Sequence, residues 1–163
     1  MDIVTTAATT AAARKVVFPP SPLEAIGQAR FFSPLSPSQR QQVASTARLR
    51  EFPAHADLYT IGDTARCCYV LVRGMVRFNL PLGKRTASIG EMIGSGEFFG
   101  WAALIPGGQR RVGAASCATG CVLVEIDGGA LLRLMDEDHS LGYAIMRQVT
   151  LLVTSTLTAL ASG

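Results

Sequence analysis

The chain has 163 residues, 48% of them hydrophobic, with 16 Gly and 8 Pro. Those values fit one globular domain with a modest core and exclude a disordered chain. The net charge of +3 is scattered, its longest basic groupings being Arg14-Lys15, Lys84-Arg85 and Arg110-Arg111, so no basic stripe marks a specific nucleic-acid binder.

Residues 1–19 form a low-complexity, Thr- and Ala-rich leader. Its positive charges follow the small residues rather than precede them, which argues against a secretory signal. The leader is expected to be disordered, leaving residues 20–163 as the domain. From Pro22 to Ala47 the pattern is helical. Ser21-Pro22 and Ser36-Pro37 each read as an N-cap followed by Pro at the first helical position. Leu23, Ile26 and Ala29 can share one face of the first helix, and Val43 and Ala47 face inward from the second.

From Leu49 onward short runs of strand character recur between Gly, Pro and Asp breaks: Leu49–Phe52, Asp57–Ile61, Cys67–Val72, Met75–Leu80, Thr86–Ile93, Val112–Cys117 and Val122–Ile126. Val76, Phe78 and Leu80 alternate with Met75, Arg77 and Asn79, as a half-buried strand requires. Tyr59 and Ile61 likewise share one face. Gly62-Asp63, Arg73-Gly74 and Thr119-Gly120 are turn signals. Short strands at this spacing predict a barrel, roll or sandwich. Cys67 and Cys68 point to opposite faces of a strand and cannot share one ion without distortion. Cys117 and Cys121 read as two sides of a hairpin around Thr119-Gly120. With no CxxC spacing, the four cysteines read as buried free thiols of a reducing cytoplasm, not as metal ligands.

After Asp127 the helical period returns. Leu131, Leu134 and Met135 suit a short helix capped by Asp127. A longer helix is predicted from about Asp138 to Leu160. Its first half is amphipathic, whereas its second half is charge-free and apolar around most of its circumference, so it needs cover on two sides. One side can lie on the strands; the other predicts a homodimer through residues 138–161. Residues 148–163 carry four Thr and two Ser over sixteen positions. A membrane span needs about twenty mostly apolar residues, so none is expected.

The most informative segment runs from Gly94 to Arg111. A short helix fits at Gly100–Leu104, and free N–H groups at such a start favour an anion. Gly100 lets the backbone approach a phosphate closely. A following Arg adds a fixed charge with paired hydrogen bonds.

In order and spacing, roughly residues 28–160 resemble the cyclic-nucleotide-binding domain family of catabolite-activator-type regulators and nucleotide-dependent kinase regulatory subunits. Phe31-Phe32-Ser33-Pro34-Leu35-Ser36-Pro37 is similar to the family's entry helices. Tyr59-Thr60-Ile61-Gly62-Asp63 and Tyr69-Val70-Leu71-Val72-Arg73-Gly74 resemble its second to fourth strands. Gly96-Glu97-Phe98-Phe99-Gly100 resembles the opening of its phosphate-binding cassette. Glu137-Asp138-His139-Ser140-Leu141-Gly142-Tyr143 resembles the opening of its last helix in one bacterial branch, which also carries Gly-Trp-x-x-Leu in the cassette, as here in Gly100-Trp101-Ala102-Ala103-Leu104. The resemblance implies a mainly β fold with flanking helices: a jelly-roll-like β-roll with N-terminal helices and a long C-terminal helix. It also implies a ligand, cyclic AMP or cyclic GMP, held by Phe99, Gly100, Trp101, Ala102, Arg110 or Arg111, Val112 and Thr156.

Two departures bear on the ligand. The family places Glu after the cassette glycine, where it binds the ribose 2′-hydroxyl; here that position is Trp101. An Ala or Ser pair usually follows the phosphate arginine, where this chain has Val112-Gly113. Counting from Gly100 selects Arg111 as that arginine, and counting back from Thr119-Gly120 selects Arg110. Thr156 is placed for a purine base or, equally, for a helix interface. His55, His139, Asp63 and Glu97 read as turn, helix-start and positioning residues, so no catalytic constellation is expected. Three functions remain: a ligand-sensing module with weak affinity, a diverged module for dimerisation or partner docking, and the effector domain of a transcription regulator. The last is disfavoured because no helix-turn-helix follows before Gly163.

Overall fold

The computed structural model describes residues 20–81 and 88–162. The leader and Lys84-Arg85 lie outside the described residues. Helices α1 (Pro22–Gln28) and α2 (Pro37–Ala44) open the fold, separated by a 3₁₀ turn at Arg30–Phe32. Each is started by a capping box: Ser21 with Glu24, and Ser36 with Gln39. Ile26, Ala29 and Val43 are buried as expected, but Leu23 is exposed and Ala25 is buried instead. Ala47 already begins the first strand, because the second helix ends three residues earlier.

Eight strands follow: β1 (Ala47–Phe52), β2 (Asp57–Tyr59), β3 (Cys67–Arg73), β4 (Val76–Pro81), β5 (Ser88–Ile93), β6 (Phe98–Phe99), β7 (Ala114–Cys117) and β8 (Cys121–Asp127). They form two four-stranded antiparallel sheets, ordered β1-β8-β3-β6 and β2-β7-β4-β5. This is a β-roll with flanking helices. Most connections switch sheets. Thr119-Gly120 therefore does not close a hairpin: it carries the chain from β7 in one sheet to β8 in the other. The Arg73-Gly74 turn makes a matching crossing, and the two pack together. Ala118 N–H donates to Met75 O at 2.9 Å, and Met75 N–H to Thr119 Oγ1 at 3.0 Å. Gly74 has a positive φ of 100° and sits against Gly120 O and Cys121 Sγ, leaving no room for a side chain. Ile61 lies past the end of β2 and is exposed rather than sharing the inner face with Tyr59.

The core has two layers. Leu71, Val76, Phe99, Cys117, Cys121 and Leu123 fill the space between the sheets. On the outer side of the β1-β8-β3-β6 sheet, Cys68, Val70, Val124 and Ile126 meet Ile26, Phe32, Leu131 and Leu141 of the helices. Cys67 packs on the between-sheet side and Cys68 on the helix side, so the pair divides across the sheet as alternation requires. All four thiols are free.

Helix α3 (Gly128–Glu137) starts at Asp127, whose carboxylate accepts from Ala130 N–H at 2.7 Å. Helix α4 (His139–Ala161) is capped by Asp138, which accepts from the Ser140 and Leu141 amides. Leu141, Ile145 and Val149 recur every four residues and are buried. Beyond Val149, Leu152 and Val153 still pack on this core, while Leu151 and Leu157 are about 60% exposed (62% and 59%).

Candidate functional site

A cavity of about 670 Å³ opens between the roll, the β6–β7 connection and the second half of α4. Its size falls within the range of roughly 300–1,000 Å³ typical of small-molecule sites. Its first wall is the cassette. Phe98 and Phe99 form β6 by pairing with Val70 and Tyr69. Phe98 is fixed by the Phe31 ring stacked on it at 3.7 Å between centroids. Gly100 then turns the chain with φ +81° into a 3₁₀ helix, Trp101–Leu104. A side chain at Gly100 would press on Arg111 and on the Tyr69 ring at 3.2 Å, so the position needs both the conformation and the space of glycine. Among the described residues the amides of Trp101 and Ala102 have no acceptor, as at any helix start.

The second wall is the segment around Arg111. Its backbone is clamped by the turn at residues 60–63: Gly62 N–H donates to Arg111 O at 2.9 Å, and Arg111 N–H donates to Asp63 O at 2.8 Å. Asp63 in turn accepts from Thr60 N–H through its carboxylate at 2.9 Å. The Arg111 side chain is 5% exposed and lines the cavity. Nη1 donates to Gly100 O at 3.0 Å and Nη2 donates to Cys67 O. The guanidinium lies 4.0 Å from the Tyr59 ring centroid, a cation–π contact in a desolvated place. Its Nε is buried with no partner. Burial pushes the Tyr59 phenol up to about 12, against the opposing charge of Arg111. The ring thus stays neutral and serves as a face for the cation.

Arg110 turns the other way. It is exposed, bridges to Thr64, and donates from Nη1 to Gly62 O and Thr64 Oγ1, both at 3.2 Å. It does not line the cavity. Phe99, Gly100, Trp101, Ala102, Arg111, Val112 and Thr156 all do. Trp101 is half-buried and packs on the helix-side core while facing the cavity. Val112 is exposed at the rim. The Thr156 hydroxyl donates to Leu152 O at 3.0 Å, within its own helix.

Sequence reasoning missed several lining residues: Tyr59, Phe78, Glu91, Arg30, and Gln148, Leu151 and Ser155 of α4. Phe78 carries a usable signal, since it alternates with Arg77 and Asn79 on a half-buried strand. Gly113 explains why it reaches the cavity: a Cβ there would lie 2.7 Å from Phe78 Cε2 and Cζ. The missing side chain gives the ring its seat.

Burial raises the Cys67 and Cys68 thiols above their ordinary range and takes Cys117 to about 12, so these sulfurs stay protonated. No group of three or more metal-ligating side chains occurs among the described residues. No helix there is long and apolar enough to cross a membrane.

The family model for the cyclic nucleotide-binding domain matches residues 49–138, more than half of the chain. No curated protein sequence matches it. Among solved structures, the chain is similar to a candidate cyclic nucleotide-binding protein from Geobacter metallireducens GS-15. They are 22% identical, with 82% of this chain and 96% of that one covered at a TM-score of 0.71. It is also similar to the sensor domain of the transcriptional regulator DNR from Pseudomonas aeruginosa (21% identity, 78% and 90% covered, TM-score 0.62). A third likeness is to the regulatory domain of Toxoplasma gondii PKA with cAMP (17% identity, 84% and 48% covered, TM-score 0.66). At these identities the structures establish the fold, and the sequence match establishes the kinship: the chain belongs to the cyclic nucleotide-binding domain family.

Proposed function

We propose that the chain is a ligand-sensing regulatory module, without catalysis of its own, that takes a cyclic nucleotide in the cavity between the cassette and α4. One observation carries this reading: Arg111 is 5% exposed, lines the cavity, and keeps a buried Nε without an acceptor. An ionised phosphate at the Gly100 turn would meet the two free amides of the 3₁₀ start and draw the guanidinium round toward it, giving this buried Nε–H its acceptor. Phe99, Gly100, Trp101, Ala102, Arg111 and Val112 would surround the phosphate and sugar, and Thr156 would face the base. Arg110 is left out, because its guanidinium is spent on Gly62 and Thr64. Ligand contacts to both the cassette and α4 would shift the balance between helix positions.

Affinity is expected to be weak. Trp101 stands where the family has its ribose-binding acid, and one charge-assisted hydrogen bond is worth roughly 1.5–3 kcal/mol, about ten- to a hundred-fold in affinity. Calorimetric titration with cyclic AMP and cyclic GMP tests the reading. Arg111→Ala should abolish the measured heat, Arg110→Ala should leave it, and Trp101→Glu should strengthen binding. A second reading, a module for dimerisation or partner docking that binds no nucleotide, is favoured by the two protein carbonyls already engaged by Arg111. It would be supported if the folded protein binds neither nucleotide before or after Trp101→Glu. The fold shared with the DNR sensor domain supports, as a third arrangement, an effector domain of a transcription regulator.

We also propose that α4 pairs with α4 of a second copy and that the protein works in the cytoplasm, where its four thiols stay reduced. Thr150, Thr156 and Thr158 donate their hydroxyls to carbonyls one turn back, at 2.9–3.0 Å. Thr150 stands two turns before Leu157 on the same stripe of the helix, so with its hydroxyl engaged it adds to the apolar surface there.

A further inference from the structure

Glu91 is exposed on the edge strand β5 and lines the cavity. It stands directly opposite Phe78 in the β4–β5 ladder, and Phe78 stands directly opposite Ala115 in the β4–β7 ladder. Directly opposite residues share a sheet face, so Glu91 and Phe78 address the cavity together. Two strand spacings, about 10 Å, separate Glu91 from β7. That strand begins three residues after Arg111, and Gly113 between them receives the Phe78 ring. The lining thus sets Arg111 and Glu91 apart with the Phe78 ring between them, and its other carboxylate, Glu97, accepts from Gly94 N–H. Among the described residues the Glu91 carboxylate makes no ion pair.

We infer that Glu91 is a specificity-determining residue, a carboxylate that accepts from the donor edge of a guanine and makes the site favour cyclic GMP over cyclic AMP. The inference rests on the cyclic-nucleotide reading above. An ionised carboxylate only accepts hydrogen bonds. Guanine presents adjacent N1–H and N2–H donors, which match two carboxylate oxygens in parallel. Adenine presents a donor beside a lone pair, which sets one nitrogen against the carboxylate. The sugar is not the partner, because its hydroxyls stay near the phosphate and hence near Arg111 and Trp101. The base is the part that extends past Phe78.

The test is calorimetric titration of the full chain and its Glu91→Gln variant with cyclic GMP, cyclic AMP and 2′-deoxy cyclic GMP. The unaltered chain should bind cyclic GMP at least about tenfold more tightly than cyclic AMP. Glu91→Gln should lose most of that preference, since an amide offers adenine its matching donor and acceptor. 2′-Deoxy cyclic GMP should behave as cyclic GMP does. Equal affinities in the unaltered chain, or a preference that survives Glu91→Gln, would overturn the inference and leave the nucleotide reading standing. An effect of Glu91→Gln on cyclic GMP that is absent with the 2′-deoxy form would assign the carboxylate to the sugar and also overturn it. No binding of any of the three to folded protein would overturn both.

Discussion

Arg111 is held by the structure it serves. Its guanidinium satisfies two main-chain carbonyls and lies on Tyr59, so Arg111→Ala should destabilise the fold by about 1–3 kcal/mol as those acceptors lose their donors. Arg110→Ala, at an exposed site, should stay within about 0.5 kcal/mol of the unaltered chain. Urea denaturation of both variants checks the contrast. Gly113 makes a second prediction. Gly113→Ala would drive a methyl into Phe78 and Asn79 O at 2.7 Å, costing about 1–3 kcal/mol, and Phe78→Leu on that background should recover part of the loss in a double-mutant cycle. The turn at Gly100 and the short helix after it were legible in the sequence because a glycine break is a local signal. The choice between Arg110 and Arg111 was not. Adjacent residues in extended chain face opposite ways, and only the clamp from Gly62 and Asp63 settles which one enters the cavity.

Element boundaries were largely legible because caps and breakers are local signals: Ser21, Ser36, Asp127 and Asp138 start four helices as their side chains suggest. Sheet membership was not legible. Chain neighbours β7 and β8 lie in different sheets, and a turn signal looks the same whether the chain folds back or crosses over. Strand β6 has two residues, too few to show any alternation. Asp138 shows how a cap couples elements. Hydrogen bonds from Ser140, Leu141 and Gln39 hold its carboxyl below the usual aspartate range, and the Gln39 bond ties α2 to α4. A depressed carboxyl contributes stability above its unfolded pKa and loses it as the pH falls through the folded value. The stability gap between the unaltered chain and Asp138→Ala should therefore be full at neutral pH and narrow in acid, read from urea midpoints across that range. A gap that widens in acid would contradict the assignment.

At the scale of the whole molecule, two core layers support the open cavity, and α4 belongs to both the core and the cavity wall. Its first half is anchored by Leu141, Ile145 and Val149; its second half turns Leu151 to the cavity, Leu152 and Val153 to the core, and leaves Leu157 uncovered. Sedimentation should show a dimer of the unaltered chain, and Leu157→Glu should give a folded monomer. A monodisperse monomer of the unaltered chain at high micromolar concentration would contradict the pairing. The central claim is that the unpartnered Nε of Arg111 awaits an anionic ligand. Nitrogen-15 NMR of the arginine Nε–H groups during titration with cyclic GMP reads that atom directly. The account predicts that the Arg111 Nε–H resonance moves downfield and saturates with binding, while that of Arg110 stays in place. Saturable binding with the Arg111 resonance unmoved would contradict it.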